Sequence, residues 1–129
     1  MRAWEWVEKY VELGNGSEIR GPVSFDFIPM GRFFLDCFQD EAINAITLMC
    51  NAQGGKTKNA EFAVQWAVKN APRDMAWYQA HDRTAKVFWK TRLEQDFRSC
   101  ESIAHLVPTD RTRCTNHLVQ FATMDLHIL

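Results

Sequence analysis

The chain has 129 residues, of which 47% are hydrophobic and 24% charged, a composition typical of one soluble globular domain and unlike that of a disordered protein. A net charge of −1 excludes a protein that binds nucleic acid through overall basic charge. The four cysteines are widely spaced and no apolar run reaches membrane-spanning length, so the sequence predicts a cytosolic protein with reduced thiols, no membrane contact and no metal site formed by its own residues.

Two helices are predicted ahead of the first strand. Residues 3–13 carry apolar side chains at helical spacing, and Gly14 ends this helix. Glycines and a proline make residues 14–28 an irregular loop. Pro29 suits the first position of a second helix, in which five side chains recur at helical spacing: Met30, Phe33, Phe34, Cys37 and Phe38.

Predicted strands and helices alternate in the rest of the chain. Residues 45–50, AITLMC, form a short apolar run of the length of a buried strand. Such alternation is typical of an α/β fold with a parallel sheet covered by helices on both faces. The later elements are a helix at 57–69, a strand at 74–80, a helix at 83–98, a mostly irregular stretch at 100–114, and one or two strands in 116–129. Asp82 can cap the helix at 83–98, in which one stripe is formed by Ala85, Trp89, Leu93 and Phe97.

A candidate phosphate-binding loop, CNAQGGKT, occupies residues 50–57 between the first predicted strand and the helix after it. A phosphate loop needs glycines that let backbone N–H groups converge, and a helix N-terminus that faces the anion. A lysine then binds the β and γ phosphates, and a hydroxyl coordinates Mg²⁺. Gly54, Gly55, Lys56 and Thr57 fit these needs. The first glycine of the full motif would fall at Cys50, so the local pattern leaves an ordinary helix N-terminus open.

The distribution of charge favours an anionic ligand near this loop. Residues 1–49 carry four Lys/Arg and eight Asp/Glu, a net charge of −4. Residues 50–129 carry eleven and eight, a net charge of +3. The positive excess therefore begins at the candidate loop, which weakly supports a phosphate-bearing ligand there.

The loop resembles the divergent phosphate loop of the large terminase subunit of tailed bacteriophages, the lambda gpA-like group. In that family the first glycine is commonly missing and an S-A-[QR]-x-G-K-T core remains; Asn51 replaces the usual serine. The likeness spans nearly the whole chain and includes AWEW at 3–6, SEIRGP at 17–22 with Phe25 and Pro29, WYQA at 77–80, the helix at 84–97, and residues 118–129.

The resemblance implies a specific α/β architecture. It is a partial sheet of the P-loop NTPase type, in a three-layer αβα arrangement, preceded by N-terminal helices. Residues 1–44 would be a helical lead-in, and residues 45–129 would be the strand and helix units of the N-terminal portion of a terminase-like ATPase domain. The chain would then be truncated before the Walker B strand.

The resemblance also implies a viral DNA-packaging ATPase, an ATP-driven motor in the bacterial host cytoplasm. Its cofactors would be ATP and Mg²⁺, and its partners double-stranded viral DNA, the small terminase subunit and the portal or procapsid. Thr57 would coordinate Mg²⁺. Gln53 stands where some members have an arginine, and a neutral glutamine cannot neutralise charge developing in the transition state. The implied nucleotide-binding residues are Asn51, Ala52, Gln53, Gly54, Gly55, Lys56 and Thr57.

The sequence departs from the family pattern at two important places. Met30-Gly31 replaces the aromatic residue and glutamine that often follow Pro29, so no residue is assigned to the adenine. A Walker B motif needs an apolar strand that ends in Asp-Glu, whereas Asp125 follows a more polar run and precedes leucine. No catalytic residue is therefore assigned in this chain. The expectation is a marginally stable protein that binds ATP but hydrolyses it poorly or not at all.

Other interpretations stay open at this stage. The chain could be a non-catalytic structural or interaction domain, such as a prophage remnant, or a helicase-like P-loop fragment. An aromatic set could be a base-stacking platform or core packing, and a basic set could contact DNA phosphates or form a solvated helix face. The aromatic set is Trp77, Tyr78, Trp89 and Phe97, and the basic set is Lys86, Lys90, Arg92 and Arg98.

Overall fold

The computed structural model describes residues 1–13, 21–26, 29–49, 56–110, 112–115 and 117–129. The chain divides into an N-terminal unit, Met1–Trp66, and a C-terminal unit, Ala67–Leu129. Helices and small sheets together give a mixed α/β structure. Within the described ranges, no helix combines the length and the apolar character that a bilayer crossing requires.

The N-terminal unit begins with helix α1, Ala3–Tyr10. The N–H of Arg2 donates to Glu5 Oε2 at 3.0 Å and closes its first turn. The predicted helix over 3–13 is correct but too long, because strand β1, Glu12–Leu13, pairs antiparallel with strand β2, Gly21–Pro22. Residues 21–22 were expected in an irregular loop. Gly21 has φ of 106°, a conformation that only glycine adopts without strain.

Helix α2, Met30–Gln39, confirms the second predicted helix. Pro29 is its N-cap, so the predicted place of Pro29 at the first helical position is wrong by one residue. Phe34 and Leu35 are buried, whereas Phe33 is exposed. The Ala3 N–H donates to Gln39 Oε1 at 2.9 Å, which ties the start of α1 to the end of α2.

Helix α3, Lys56–Asn70, begins in the N-terminal unit and ends in the C-terminal unit. It confirms the predicted helix over 57–69. Every residue from 61 to 68 is buried, as expected for a helix that is apolar over most of its surface. Within the N-terminal unit, the Phe62 ring packs edge-on against Phe25 with centroids 5.9 Å apart, and Trp66 packs against Phe38 at 6.1 Å.

The predicted strand over 45–50 is wrong for the residues that the structure describes. Residues 45–49 form no strand, and all but the partly buried Leu48 are exposed. Met49 is 92% exposed. An apolar run becomes a strand only when a neighbouring strand takes its backbone hydrogen bonds, and the composition of the run cannot supply that neighbour. Cys50, the last residue of the predicted strand, lies outside the described residues.

The C-terminal unit contains a three-stranded sheet in the order β3-β5-β4. Its strands are β3, Met75–Trp77, β4, Leu118–Gln120, and β5, Asp125–Ile128. Strands β3 and β5 are parallel, whereas β4 and β5 are antiparallel. The expected parallel pairing is thus confirmed for β3 with β5 and wrong for β4 with β5. The last two strands are joined by only four residues, 121–124, and so short a connection permits only an antiparallel pair.

The helical run predicted over 83–98 is confirmed as three consecutive pieces. They are α4, Asp82–Phe88, a π-helical turn, Trp89–Leu93, and α5, Glu94–Ser99. His81 is the N-cap residue and Asp82 lies inside the first turn, so the predicted cap at Asp82 is wrong. A short helix α6, Glu101–Ala104, interrupts the stretch that was expected to be irregular.

The aromatic side chains of the C-terminal unit, which could form a base-stacking platform or pack in the core, mostly pack within the protein. Trp89 and Phe97 are buried, and Phe97 packs edge-on against Phe121 at 5.0 Å. Trp77 stacks on the Phe88 ring at 5.1 Å. Three of the four aromatic residues are thus engaged within the protein, and only Tyr78, at 73% exposure, presents a free face. A base-stacking platform built from the set is not formed.

Candidate nucleotide-binding site

Two residues of the predicted phosphate site, Lys56 and Thr57, lie in the described part of the chain, at the start of α3. The helix begins at Lys56, and Thr57, its second residue, is partly buried. The first N–H groups of an α-helix have no partner within the helix and carry the positive end of its dipole. The structure therefore places both residues on a turn suited to an anion. Residues 51–55 and the Lys56 side chain lie outside the described part of the chain.

The charges around this turn also suit an anion. The first turn of α3 contains no acidic residue, and Lys58 follows Lys56 by two positions. The nearest carboxylate in the helix is Glu61, which is fully buried and forms an ion pair with Lys58, with Nζ and Oε2 2.9 Å apart. Lys58 Nζ also lies 5.7 Å from the centre of the Phe62 ring. The buried carboxylate is thus neutralised locally and adds little repulsion at the helix start.

Three polar side chains of α3 are buried, and sequence reasoning did not single them out. They are Asn59, Glu61 and Gln65. The signal that could have found them was their position inside a helix that is apolar on several faces, since polar residues there must enter the protein interior. Burial of such groups is costly unless each finds a partner.

Asn59 lies against the first turn of α2. A Cβ atom added to Gly31 would stand 2.8 Å from Asn59 Oδ1 and 2.5 Å from two ring atoms of Phe25. Only glycine at position 31 therefore permits this approach. Asn59 is 1% exposed, and its Nδ2 has no hydrogen-bond partner within the described ranges.

Arg32 is a second cation near the same turn of α2, but its guanidinium is directed elsewhere. Its Nη2 donates to Asp26 Oδ1 at 2.7 Å and lies 3.9 Å from Glu8 Oε1. The guanidinium carbon lies 5.0 Å from the centre of the Trp4 ring. Two carboxylates and an indole thus hold this charge against α1 and the 21–26 segment, so Arg32 adds little to an anion site at α3.

Asp125 is the carboxylate compared above with a Walker B aspartate. It is the first residue of strand β5. Its N–H donates to Asp74 Oδ1 at 3.1 Å. A Walker B carboxylate belongs at the carboxyl end of its strand, so Asp125 stands at the opposite end. Among the residues that the structure describes, no group of three or more His, Cys, Asp or Glu side chains is placed to hold a metal ion.

The basic side chains of the 82–99 helical run are exposed, as a solvated helix face requires. Two of them have neighbours within the run. Arg98 Nε donates to Glu94 Oε1 at 3.1 Å, and the guanidinium carbon of Arg92 lies 5.5 Å from the centre of the Phe88 ring. These contacts give Arg92 and Arg98 a local role that does not require DNA.

A cleft of about 570 Å³ lies within the C-terminal unit, with His105, Arg113 and Phe121 among its lining residues. Asp110 also lines it, and the Thr112 N–H donates to its Oδ1 at 2.9 Å. This hydrogen bond lowers the pKa of the Asp110 carboxyl. The cleft contains none of the residues predicted to bind nucleotide.

Comparison with known proteins supplies the family. A model of the ATPase domain of the phage terminase large subunit gpA matches residues 17–128. The chain belongs to this family. The match includes the candidate phosphate loop at 50–57 and confirms the resemblance read from the sequence. No curated protein and no solved structure matches the chain.

Membership in the terminase ATPase-domain family supports a role related to phage terminase ATPase activity, and with it the use of a nucleotide. The mixed α/β structure is compatible with that membership. Residue-level assignments within the terminase loop, from Asn51 to Thr57, stay predictions. Of these residues, the structure brings Lys56 and Thr57 together on the first turn of α3.

Proposed function

We propose that this chain binds ATP·Mg²⁺ at the start of α3, as the nucleotide-binding part of a phage terminase large subunit that packages DNA. One observation carries the proposal above the others: a 15-residue helix begins at Lys56, directly after two glycines, with no acidic residue in its first turn. A long helix that starts at a Gly-Gly-Lys-Thr sequence supplies free N–H groups, a positive dipole end and a lysine at one place.

Each residue of the loop has a distinct task in this proposal. Lys56 contacts the β and γ phosphates, and the Thr57 hydroxyl coordinates Mg²⁺. Residues 51–55 wrap the phosphates with backbone N–H groups, which the two glycines permit. A P-loop of this type is the nucleotide site of many motors, and the family match is what points to a terminase rather than a helicase.

Turnover is a separate matter from binding. Phosphoryl transfer to water needs one carboxylate on Mg²⁺ and another group that orients the water. Gln53 can donate hydrogen bonds but brings no positive charge, and no carboxylate of the chain is assigned to either task. We therefore expect ATP binding with little or no release of phosphate. The motor function, and the contacts with viral DNA, the small terminase subunit and the portal, would require the complete packaging machine.

Titration calorimetry with ATP·Mg²⁺ tests the proposal. Lys56→Ala should weaken binding by about a hundredfold, since it removes the charge nearest to the phosphates. Lys69→Ala is the matched control, because Lys69 is an exposed lysine in the last turn of the same helix. Thr57→Val should remove the gain in affinity that Mg²⁺ provides, and Thr57→Ser should keep it. Equal affinity of the wild-type protein and Lys56→Ala would contradict the proposal.

A non-catalytic interaction domain is the second candidate. The exposed apolar segment at 45–49 favours it, because this run is expected to lie inside the sheet of a working P-loop ATPase. The same titration separates the two functions. An interaction domain that has lost its nucleotide site binds ATP neither as wild type nor as Lys56→Ala.

A further inference from the structure

We propose that the Asn59 side chain donates a hydrogen bond from Nδ2 to the bound polyphosphate, and that the N-termini of two helices, α2 and α3, face this anion together. The inference rests on the proposed nucleotide site and extends it with a side chain and a helix that the phosphate-loop motif does not contain. Three observations carry it: the contact between the two first turns, the buried amide of Asn59 that no described residue satisfies, and the absence of acidic residues from both turns.

The contact between Gly31 and Asn59 brings two helix starts together. Gly31 is the second residue of α2, and Asn59 is the fourth residue of α3. The Asn59 Oδ1 atom lies 2.8 Å from the place where a Cβ of residue 31 would be. Both helices are long enough for a full dipole, with 10 and 15 residues. Neither has an acidic residue in its first turn to neutralise the positive end.

The Asn59 amide is the second, independent sign of a ligand. It is 1% exposed, and its Nδ2 donor has no partner within the described residues. Burying a donor without an acceptor costs free energy. Side chains on an α-helix tilt toward its N-terminus, so the amide of Asn59 covers the turn around Lys56. From this general tilt we infer that the donor lies on the side of α3 where the phosphates are proposed to bind.

The chemistry of these groups selects an anion. They comprise the first-turn N–H groups of α3, the positive dipole end of α2 and the amide donor of Asn59, while the Asn59 oxygen faces Gly31. Such a set offers donors and positive dipole ends without a competing carboxylate, which suits the oxygens of a polyphosphate. A cation would be repelled.

Substitution of Asn59 in the full chain tests the inference, with two probes: ATP·Mg²⁺ and inorganic tripolyphosphate. Asn59→Leu keeps the branch at Cγ and the number of side-chain heavy atoms but removes the donor, and it should weaken binding of both probes by about tenfold. Its melting temperature, measured alongside, reports whether the larger methyl groups disturb the packing against Gly31. Asn59→Asp keeps the shape and adds a negative charge, so its loss should be larger. Gln65→Leu is the control, a buried amide further along the same helix, and should leave both affinities unchanged.

The outcomes separate this inference from the proposed function. One outcome is that both Asn59 variants bind both probes as well as wild type, while Lys56→Ala binds neither. This outcome overturns the role of Asn59 and leaves the proposed phosphate site in place. Weaker ATP binding with unchanged tripolyphosphate binding also overturns it, since the contact would then be to the nucleoside. Tripolyphosphate binding that depends on Asn59 but not on Lys56 supports the inference and contradicts the proposed site. A wild-type protein that binds neither probe contradicts both.

Discussion

Helix α3 buries three polar side chains, those of Asn59, Glu61 and Gln65. Glu61 is completely buried and is held by the ammonium of Lys58 at 2.9 Å. A buried ion pair is weak evidence for stability, because the loss of hydration of both charges offsets their attraction. The pair lies one turn after the candidate phosphate site. There the ammonium of Lys58 offsets the charge of Glu61, so the carboxylate repels a bound anion only weakly.

Cys100 allows a prediction about pH at the scale of one residue. The side chain is buried, and burial raises the pKa of its thiol above the ordinary value of 9.0. A group whose pKa is raised by folding contributes stability that is fully present below the unfolded pKa and is lost as pH rises past it. The difference in unfolding free energy between wild type and Cys100→Ala should therefore shrink between pH 7 and pH 10, as measured by urea denaturation. A difference that stays constant or grows at pH 10 would show that the folded protein does not suppress ionisation of this thiol.

At the scale of elements, the contact of α2 with the first turns of α3 depends on a glycine. Glycine inside a helix is normally about 1 kcal/mol less favourable than alanine, so an exposed Gly→Ala substitution would stabilise the protein. Gly31→Ala should instead destabilise it by about 1–3 kcal/mol, because the new methyl group would overlap Phe25 and Asn59. Denaturant unfolding measures the change.

The same substitution in a background with smaller neighbours provides the control. Phe25→Leu removes part of the ring that the methyl group would meet, so Gly31→Ala should cost less in that background than in wild type. Equal costs in both backgrounds would mean that the new methyl group does not meet the Phe25 ring.

The helices and the approximate positions of β3, β4 and β5 could be predicted from the sequence, whereas the pairing of the strands could not. Helix periodicity is local, which is why α2, α3 and the run from Asp82 to Ser99 were identified with ends correct to about one or two residues. A strand also needs a partner distant in sequence. Residues 45–49 have the composition of a strand but pair with no other strand. The sheet is mixed and not parallel because β4 and β5 form an antiparallel hairpin.

The candidate site shows the same division between local and distant information. Lys56 and Thr57 were found because the loop and helix start are contiguous in the sequence. Asn59 was missed because its significance arises from Gly31, which lies 28 positions earlier and meets it only in the folded chain. No local pattern marks an amide as lacking an acceptor, since that property depends on everything packed around it.

For the whole molecule, the exposed segment at 45–49 predicts where a protease acts. Chymotrypsin should cut after Leu48 or Met49 early in a limited digestion, because these residues form no helix or strand and Met49 is 92% exposed. Cleavage after Phe62 or Trp66 should come much later, since both are buried in α3. Mass spectrometry of the fragments over time measures the order. Fragments cut within α3 that precede those cut at 48–49 would contradict the exposed placement of this segment.

The π-helical turn at Trp89–Leu93 explains how four apolar side chains at strict intervals of four share one core. Four residues of an α-helix rotate by about 400°, so each step overshoots a full circle by about 40°. Ala85, Trp89, Leu93 and Phe97 would consequently fan around the axis, yet all four are buried. The wider turn rotates less per residue and corrects the angular drift. An α-helix of the same length would carry Phe97 about 120° around the axis from Ala85, whereas removal of one residue from the π-helical turn would restore an α-helix and keep Ala85 and Phe97 on one side, so this stretch should tolerate a one-residue deletion.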